Sequence, residues 1–333
     1  MKTLVLAPFS SSALAALGDL GDVVYEPWTD TQEIQEPEEL GQRVAAEAID
    51  ALVVEIDFLF EELFDAAPGL RFAAICRSAL NQVSLEAATD RGVVIAHTPG
   101  RNAQAVAELV LGHLLSLARH LPQASMFVRS GLWEDPTEPY MRFQGRELSG
   151  ATLGLIGLGQ IGGCVARLAR GVGMQVQAYD PYVRRGARLA VGVTLIDLNT
   201  LLATSDFVSI HVPQASDTIG MLDGEALSRM QPDSYLVNVT SPDIVDHSAL
   251  VAALRTGKLA GAAMDVHDSH PLAHGSPFIN MPNVLLTPHI GGATRETIAR
   301  HSAMVVDDLQ RFAKGVRPKH LANPGVWKRR RKP

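Results

Sequence analysis

Short runs of hydrophobic residues alternate with helix-like stretches along most of the chain. In the first hundred residues the apolar runs predict strands at 3–6, 23–25, 51–54, 71–75 and 93–96. Runs such as Ala-Leu-Val-Val and Phe-Ala-Ala-Ile have no alternating polar positions, as in parallel strands that are covered on both faces. Helix-like patterns at 37–48 and 58–66 lie between them. This order predicts a doubly wound α/β domain of five parallel strands.

A second series of apolar runs begins after residue 150. It predicts strands at 153–156, 175–179, 193–195, 207–211, 235–239, 261–266 and 284–286. A long helical pattern at 102–120 precedes this series, and another at 295–313 follows it. In the simplest topology both helices cross between domains. The predicted fold class is α/β, with two Rossmann-like, doubly wound parallel-sheet domains and a cleft between them.

The composition agrees with two globular domains. A chain of 333 residues exceeds what one hydrophobic core usually holds, and 47% hydrophobic with 20% charged residues is ordinary. The net charge of −7 argues against nucleic-acid binding. The two cysteines give no disulfide framework, which favours a reducing cytoplasm. No signal peptide and no apolar run long enough to span a bilayer are present, so no membrane role is expected.

One basic run, at 328–332, lies near the C-terminus. Such a run is a candidate contact for nucleic acid or for an anionic membrane. Because terminal residues are often poorly ordered, we expect a frayed and solvated segment instead.

A glycine-rich turn follows the first strand of the second series. Its spacing is G-x-G-x-x-G, directly after a strand and at the start of a helix. The first glycine permits the tight turn, the second lets the backbone approach a pyrophosphate, and the third lets the helix pack on the strand. The helix N-terminus points its amides at such an anion. The predicted dinucleotide contacts are Gly157, Gly159, Gln160, Ile161 and Gly162.

An acidic residue, Asp180, ends the next predicted strand, at the distance from the glycine turn where a ribose-binding carboxylate belongs. This carboxylate would accept hydrogen bonds from the ribose hydroxyls and repel a 2′-phosphate, so NAD is favoured over NADP. Arg184 and Arg185 follow it and weaken that preference. The predicted domains are a flavodoxin-like substrate domain at 1–100 plus 290–333 and a NAD-binding Rossmann domain at 101–289.

Four segments together indicate a family. They are Thr98-Pro-Gly-Arg-Asn-Ala-Gln-Ala-Val-Ala-Glu108, Gly145-Arg-Glu-Leu-Ser-Gly-Ala-Thr-Leu-Gly-Leu-Ile-Gly-Leu-Gly-Gln-Ile-Gly162, His211-Val-Pro213 with Asp217-Thr218, and Asn283-Val-Leu-Leu-Thr-Pro-His-Ile-Gly-Gly-Ala-Thr294. Over nearly its whole length the chain resembles the D-isomer-specific 2-hydroxyacid dehydrogenases.

This resemblance implies a hinged pair of domains and a homodimer built through the cofactor domain. It implies that NAD lies in the cleft and that a 2-keto acid and a D-2-hydroxy acid are interconverted. Asp265 is expected to meet the nicotinamide carboxamide, as the matching position does in the family. The resemblance extends the expected cofactor contacts to His211, Pro213, Thr218, Val239, Thr240, Asp265 and Gly291.

The resemblance also implies three catalytic side chains, of which the sequence keeps one. His289, in Thr-Pro-His, matches the general acid that protonates the carbonyl oxygen. His270 occupies the position of the glutamate that holds this histidine, and Ser241 occupies that of the substrate-binding arginine. A serine hydroxyl cannot give a bidentate, charged contact to a carboxylate. An imidazole in place of the glutamate removes the anion that favours protonated His289.

The partner of His289 is open at this point. His270 either orients it through a hydrogen bond between neutral rings or is a solvated loop residue. In the second case His267 or Asp268 is the partner instead.

The loop after the strand at 71–75 is a candidate replacement for the missing arginine. Arg77 either supplies a cation to the substrate or is an ordinary surface arginine, and the two readings are comparable. The resemblance implies that this loop, with Ser78 and Ala79, offers backbone amides to a substrate carboxylate. Arg101 is a weaker second candidate for the cation.

Three functions are compatible with these residues. The first is a NAD-dependent oxidoreductase that acts on a 2-keto or 2-hydroxy acid, or on a related carbonyl compound, with a diverged active site. The second is an enzyme that keeps NAD bound as an internal redox catalyst for a reaction without net redox change. The third is a catalytically silent NAD-binding protein.

Overall fold

The computed structural model of this chain describes residues 1–183 and 192–332. The chain divides into two compact units, Met1–Arg101 with Thr294–Pro333 (unit 1) and Asn102–Ala293 (unit 2). The sequence prediction put these boundaries at residues 100 and 290. Arg184 and Arg185, which bear on the choice between NAD and NADP, lie outside the described residues.

The secondary structure follows the alternating pattern of the sequence. The strands are β1 (Thr3–Val5), β2 (Val23–Tyr25), β3 (Ala51–Val54), β4 (Phe72–Ile75), β5 (Val94–His97), β6 (Thr152–Ile156), β7 (Gln175–Tyr179), β8 (Val193–Leu195), β9 (Phe207–Ile210), β10 (Ser234–Asn238), β11 (Leu259–Met264) and β12 (Val284–Leu286). The α-helices are α1 (Ser11–Gly18), α2 (Trp28–Thr31), α3 (Pro37–Ala46), α4 (Glu61–Ala66), α5 (Leu85–Asp90), α6 (Ala103–Arg119), α7 (Leu121–Arg129), α8 (Glu138–Arg142), α9 (Gln160–Gly171), α10 (Leu198–Thr204), α11 (Gly224–Arg229), α12 (His247–Arg255) and α13 (Arg295–Ala313). Single turns of 3-10 helix lie at Pro242–Ile244, Pro277–Asn280 and Pro324–Val326. Within the described ranges, no helix combines the length and the hydropathy that crossing a membrane requires.

Unit 1 is built on a parallel sheet that has five strands within the described residues, in the order β2-β1-β3-β4-β5. Every residue of β3 and β4 is buried, which explains their uninterrupted apolar runs. Successive side chains point to opposite faces, so the sheet is covered by two separate hydrophobic clusters. α13 contributes Val305, Leu309 and Phe312 to one of them, which attaches the C-terminal segment to this unit.

Unit 2 is built on a parallel sheet that has seven strands in the described part of the chain, in the order β12-β11-β10-β9-β6-β7-β8. The chain runs outward from β6 to β8 and then returns to β9 on the other side of β6. In open parallel sheets, ligands bind at the carboxyl ends of the strands where the order reverses in this way. The prediction of two doubly wound parallel-sheet domains is confirmed.

The basic run near the C-terminus is docked on unit 1, and the prediction of a frayed segment is wrong. Arg331 donates its main-chain N–H to Gly92 O at 3.0 Å and its guanidinium to Leu70 O at 2.9 Å. The Arg330 guanidinium stacks on the Trp327 ring, 3.6 Å from the ring centroid. These contacts satisfy backbone carbonyls and cover apolar surface, so the run contributes to the fold of unit 1.

Candidate active site

The glycine turn after β6 is packed too tightly for a side chain at Gly157 and at Gly162. Gly157 has a φ of +96°, and a Cβ built on it would lie 2.8 Å from the carbonyl carbon of His211. A Cβ on Gly162 would lie 2.2 Å from Gly157 O. α9 begins at Gln160, with Gly159 as its exposed N-cap. The backbone therefore forms an open cradle at a helix N-terminus, which suits the pyrophosphate of a dinucleotide.

Asp180 lies beside this cradle at the end of β7. Its carboxylate accepts hydrogen bonds from Leu158 N at 2.8 Å and from Tyr182 N at 2.9 Å. Each carboxylate oxygen can accept more than one hydrogen bond, so capacity remains for the ribose hydroxyls. The glycine cradle and this carboxylate together fit the adenosine half of NAD.

The loop after β9 forms the next wall of the cradle. His211 N donates to Ile156 O at 2.7 Å, and neither ring nitrogen of His211 has a hydrogen-bond partner among the described residues. Burial lowers the pKa of His211 to about 3, so the imidazole is neutral. Thr218 donates its hydroxyl to Pro213 O at 2.7 Å and accepts from Ala215 N at 2.8 Å, which closes the loop.

The segment after β10 carries the position where the family resemblance leads us to expect an arginine. Ser241 is only 7% exposed, and its hydroxyl donates to Gln214 Oε1 at 3.4 Å. The Gln214 amide in turn donates to the Asp243 carboxylate at 2.5 Å. A hydroxyl, an amide and a carboxylate thus lie together here, a set that carries negative charge.

The residues just before Ser241 fix the direction of this segment. Thr240 donates its hydroxyl to Ile210 O at 2.7 Å, and the side-chain amide of Asn238 donates to Ser241 O at 2.8 Å. Val239 packs against the hydrophobic cluster that contains β6 and β7 residues. The side chains of Asn238, Val239 and Thr240 therefore stabilise the turn.

A buried carboxylate organises the turn that follows β12. Asp265 is 1% exposed and accepts hydrogen bonds from Ile290 N at 2.9 Å, Gly291 N at 2.8 Å and the Thr287 hydroxyl at 2.6 Å. The sequence predicted cofactor contacts for Asp265 and Gly291, and the structure brings these two residues together. The three hydrogen bonds hold the backbone on both sides of His289.

His289 occupies the tip of that turn in a left-handed conformation, with a φ of +56°. Its Nδ1 lies 3.0 Å from His270 Nε2, and both rings are exposed. His267 Nε2 lies instead 2.8 Å from Thr287 O, and Asp268 Oδ2 lies 2.9 Å from His247 Nδ1. Of the candidate partners, His270 is the one whose ring meets His289.

The candidate substrate loop of unit 1 presents a partly buried guanidinium. Arg77 contacts Gln82 Oε1 at 3.3 Å, and no carboxylate pairs with it within the described residues. Burial lowers the pKa of Arg77, and neighbouring Arg101 lowers it further. Ser78 and Ala79 are exposed, and the Ser78 hydroxyl accepts a hydrogen bond from Gly100 N at 3.0 Å. The Arg77 guanidinium therefore has no carboxylate in direct contact among the described residues, although the charge of Glu55 acts in the opposite direction and raises its pKa.

Arg101, the second candidate cation, is already engaged in unit 1. Its guanidinium lies 2.6 Å from Glu55 Oε1 and 2.7 Å from His301 Nδ1. His301 Nε2 donates to Pro8 O at 2.7 Å, and burial lowers the pKa of His301 to about 4. Arg101 is consequently neutralised by Glu55 and held by a neutral imidazole, which disfavours it as a substrate-binding group.

Comparisons with known proteins agree with this arrangement. Residues 111–291 match the model of the D-isomer specific 2-hydroxyacid dehydrogenase NAD-binding domain. A glyoxylate reductase of Korarchaeum cryptofilum is 38% identical over 280 residues, 84% of each chain. The chain belongs to this family. Its resemblance to the D-isomer-specific 2-hydroxyacid dehydrogenases, predicted from the sequence, is confirmed.

Two further proteins show how far the likeness extends. A D-3-phosphoglycerate dehydrogenase of Archaeoglobus fulgidus is 34% identical over 97% of this chain, which spans 59% of that relative's length. The crystal structure of the TT0316 protein of Thermus thermophilus superimposes with a TM-score of 0.84 at 34% identity, covering 97% of this chain and 100% of the other. Both units are thus shared with a solved structure.

As a member of this dehydrogenase family, the chain is a NAD-binding oxidoreductase. Its cofactor is NAD(H), as the sequence predicted, and the glycine cradle with Asp180 fits that group. The roles expected for His289, His270, Ser241 and Arg77 stay predictions.

Sequence reasoning missed three side chains that the structure brings to these dehydrogenase sites. Gln214 meets Ser241, Glu55 neutralises Arg101, and His113 of α6 lies 3.3 Å from Thr287 Oγ1. His113 was visible as a histidine within a strongly apolar helical pattern. Glu55 was visible as an acid that directly follows an apolar strand, whereas nothing in the sequence singled out Gln214.

Proposed function

We propose that this protein is an NADH-dependent reductase of a 2-keto acid or a closely related carbonyl compound. His289 is the proton donor, His270 orients it, and Arg77 binds the substrate's carboxylate in place of the family's arginine. The observation that carries the proposal is the 3.0 Å contact between His270 Nε2 and His289 Nδ1. It supports a preserved acid–base group beside a dinucleotide site whose glycines and Asp180 are intact.

The chemistry follows from the hydrogen bond between the two rings. NADH, when bound, supplies the hydride that the carbonyl carbon receives. If His270 Nε2 accepts from His289 Nδ1–H, then the other ring N–H of His289, on Nε2, takes no part in that contact and can protonate the carbonyl oxygen. The products are a 2-hydroxy acid, NAD⁺ and neutral His289, which regains its proton from solvent through its exposed ring.

The role proposed for Arg77 is supported by its charge balance. A partly buried guanidinium without a carboxylate partner in the described residues gains most by binding an anion. Ser241, Gln214 and Asp243 form a set that offers no cation to a carboxylate. The substrate's negative charge is therefore better met at Arg77 than at the turn after β10.

Turnover is tested by following NADH absorbance with a panel of 2-keto acids, aldehydes and ketones. We expect oxidation of NADH with at least one 2-keto acid, and a loss of about 100-fold or more in kcat for His289→Asn. Tight NADH binding without turnover of any compound in the panel would contradict the proposal. If, in addition, NAD resisted dialysis, the hypothesis of an enzyme that keeps NAD bound as an internal redox catalyst would be favoured.

The role of Arg77, which follows β4, is tested against a control arginine that precedes the same strand. Arg77→Met should raise KM for the keto acid by about 10- to 100-fold, because a charged hydrogen bond is lost, with little change in NADH affinity. Arg71→Met is the matched control, since Arg71 precedes β4, at its opposite end, and pairs with Asp50 at 3.4 Å. Equal effects of the two substitutions would remove the support for Arg77.

The family resemblance also suggests a homodimer, and α7 and α8 of unit 2 support it. These helices and the loop between them expose several large apolar side chains: Met126, Val128, Leu132, Trp133, Tyr140 and Met141. A solvent-exposed apolar set of this size commonly marks a protein interface. We expect a dimer in sedimentation velocity, and a shift to monomer for Met126→Lys combined with Tyr140→Lys. A monomeric wild-type protein would contradict this assignment.

A further inference from the structure

We infer that His113, a buried histidine of α6, is a positioning residue for His289. It acts through Thr287 and Asp265, which form the base of the turn that carries His289. The inference rests on the proposed role of His289 as the proton donor. His113 thus contributes to the reaction without touching a reacting atom, because it contacts the base of the turn that carries His289.

The contacts form a continuous chain within unit 2. His113 Nε2 lies 3.3 Å from Thr287 Oγ1, which lies 2.6 Å from Asp265 Oδ1. Asp265 then accepts the main-chain N–H groups of Ile290 and Gly291, at 2.9 Å and 2.8 Å. His289 lies in the sequence between Thr287 and these two amides. This series of hydrogen bonds therefore ends on the backbone on both sides of His289.

The donors and acceptors can be assigned from chemistry alone. An ionised carboxylate only accepts, so the Thr287 hydroxyl donates its one proton to Asp265. The Thr287 oxygen must then accept from His113, which requires the tautomer with hydrogen on Nε2. The remaining nitrogen, His113 Nδ1, has no partner within the described residues and carries only a lone pair. Burial lowers the pKa of His113, which keeps this neutral tautomer.

The direction of this hydrogen bond matters for the geometry of the turn. With Nε2–H of His113 donating to its oxygen, the Thr287 hydroxyl is held between His113 and Asp265. His267 Nε2 lies 2.8 Å from Thr287 O and holds the same residue by its main chain. His289 is left in a left-handed conformation that is unfavourable for a side-chain-bearing residue. Such a conformation persists only where its surroundings hold it.

The surroundings of His113 argue against a role in packing alone. The buried positions of α6 around it are apolar and include Val106, Val110, Leu114 and Leu117. His113 is 2% exposed, and placing an imidazole there with one unpaired nitrogen costs free energy that an aliphatic residue would avoid. Its one described hydrogen bond goes to Thr287, so this contact is what the histidine offers that a leucine does not.

Two substitutions of His113 distinguish the effect of its hydrogen bond to Thr287 from the effect of its side-chain volume. His113→Phe fills the space without a donor, and His113→Gln restores an N–H donor. We expect His113→Phe to lower kcat by about 10-fold, as for a small misplacement of a catalytic group, with KM for the keto acid nearly unchanged. His113→Gln should recover most of the loss. Leu114→Ala, a cavity in the same helix, is the matched control and should lower stability but not kcat.

A second readout does not depend on turnover. Diethylpyrocarbonate modifies neutral imidazole, and mass spectrometry of the His289 peptide gives its modification rate at each pH. His113→Phe should shift this pH profile relative to the wild type, because the distance of His289 from His270 is no longer fixed. His113→Gln and Leu114→Ala should keep the wild-type profile.

These measurements decide the inference even if the proposed function fails. A wild-type protein without turnover would reject the proposed function, and the modification profile would then test His113 alone. If His113→Phe does not fold, Thr287→Val takes its place, since it removes the acceptor and should give the same shift. Wild-type kcat and an unchanged profile in His113→Phe would overturn the inference. The same shift in Leu114→Ala would also overturn it.

Discussion

The segments after β6 and β7 and the segments after β10, β11 and β12 lie on the same sheet, yet the two groups differ in how much of the family pattern they keep. The first group retains its three glycines after β6 and Asp180 after β7. In the others His289 remains, while His270 and Ser241 stand where a glutamate and an arginine are expected. The first group is expected to contact its ligand mainly with backbone atoms, and the second group mainly with side chains.

This difference distinguishes positions that are constrained by packing from positions that are not. Gly157 and Gly162 are fixed by contacts inside the protein, since a Cβ on either would collide with main-chain atoms. For Ser241 and His270 we propose instead that the ligand, and not the packing of the sheet, determines which residue stands there. We therefore expect cofactor binding to be tied more closely to the fold than the choice of substrate is.

The largest effect on NADH binding is expected when a side chain is added at the most tightly packed glycine of the cofactor turn. Gly162→Ala places a methyl group within 2.2 Å of Gly157 O, so the turn must open. We expect NADH affinity to fall by about 100-fold, or about 2.8 kcal/mol, in a fluorescence titration. Gly163→Ala, the next residue, has open space around the added Cβ and should leave the affinity unchanged. Similar losses for both variants would show that the turn does not depend on close packing.

A smaller effect is expected at the ribose-binding carboxylate. Asp180→Ala should weaken NADH by about 10-fold, because two charge-assisted hydrogen bonds are lost, and should strengthen NADPH. Asp180→Asn keeps one acceptor oxygen and is the matched control for the charge alone. Competition between the two cofactors measures both variants. An unchanged preference for NADH in Asp180→Ala would mean that other residues exclude the 2′-phosphate.

A further effect is expected in how the free energy of unfolding depends on pH. His211 at the cofactor turn has a pKa of about 3 in the folded protein, below its ordinary value of about 6.5 in the unfolded chain. The unfolded state therefore binds more protons in this window, and stability is complete above pH 6.5 and is lost as the pH falls. The free energy of unfolding should decrease on acidification by up to about 1.4 kcal/mol per pH unit.

Urea denaturation of two variants checks this assignment. His211→Gln should flatten the dependence of the unfolding free energy on pH between 6.5 and 4, since it removes one group that must charge. Thr218→Val, at a buried position of the same loop without a titratable group, should keep the wild-type slope. Equal slopes in the wild type and in His211→Gln would show that other groups cause the acid sensitivity.

The sequence predicted the fold because the signals for it are local and repeated. Buried parallel strands appear as apolar runs, and the glycine turn has a spacing that packing requires. The site was predicted less completely, because contacts such as His113 with Thr287 join residues that are far apart in the chain. The basic run at 328–332 was misread since its partners, Gly92 and Leu70, are backbone carbonyls that no sequence pattern reveals. The cytoplasmic location stays a prediction.

The central claim is that the cofactor turn is intact while the catalytic turns are altered. The direct test is the double variant Ser241→Arg with His270→Glu, measured for NADH affinity and for kcat/KM with a 2-keto acid. We expect an unchanged NADH Kd and a rise in kcat/KM of about 10-fold or more, since a charged donor and an anionic partner of His289 are added. An unchanged or lower kcat/KM at the same NADH affinity would contradict the claim.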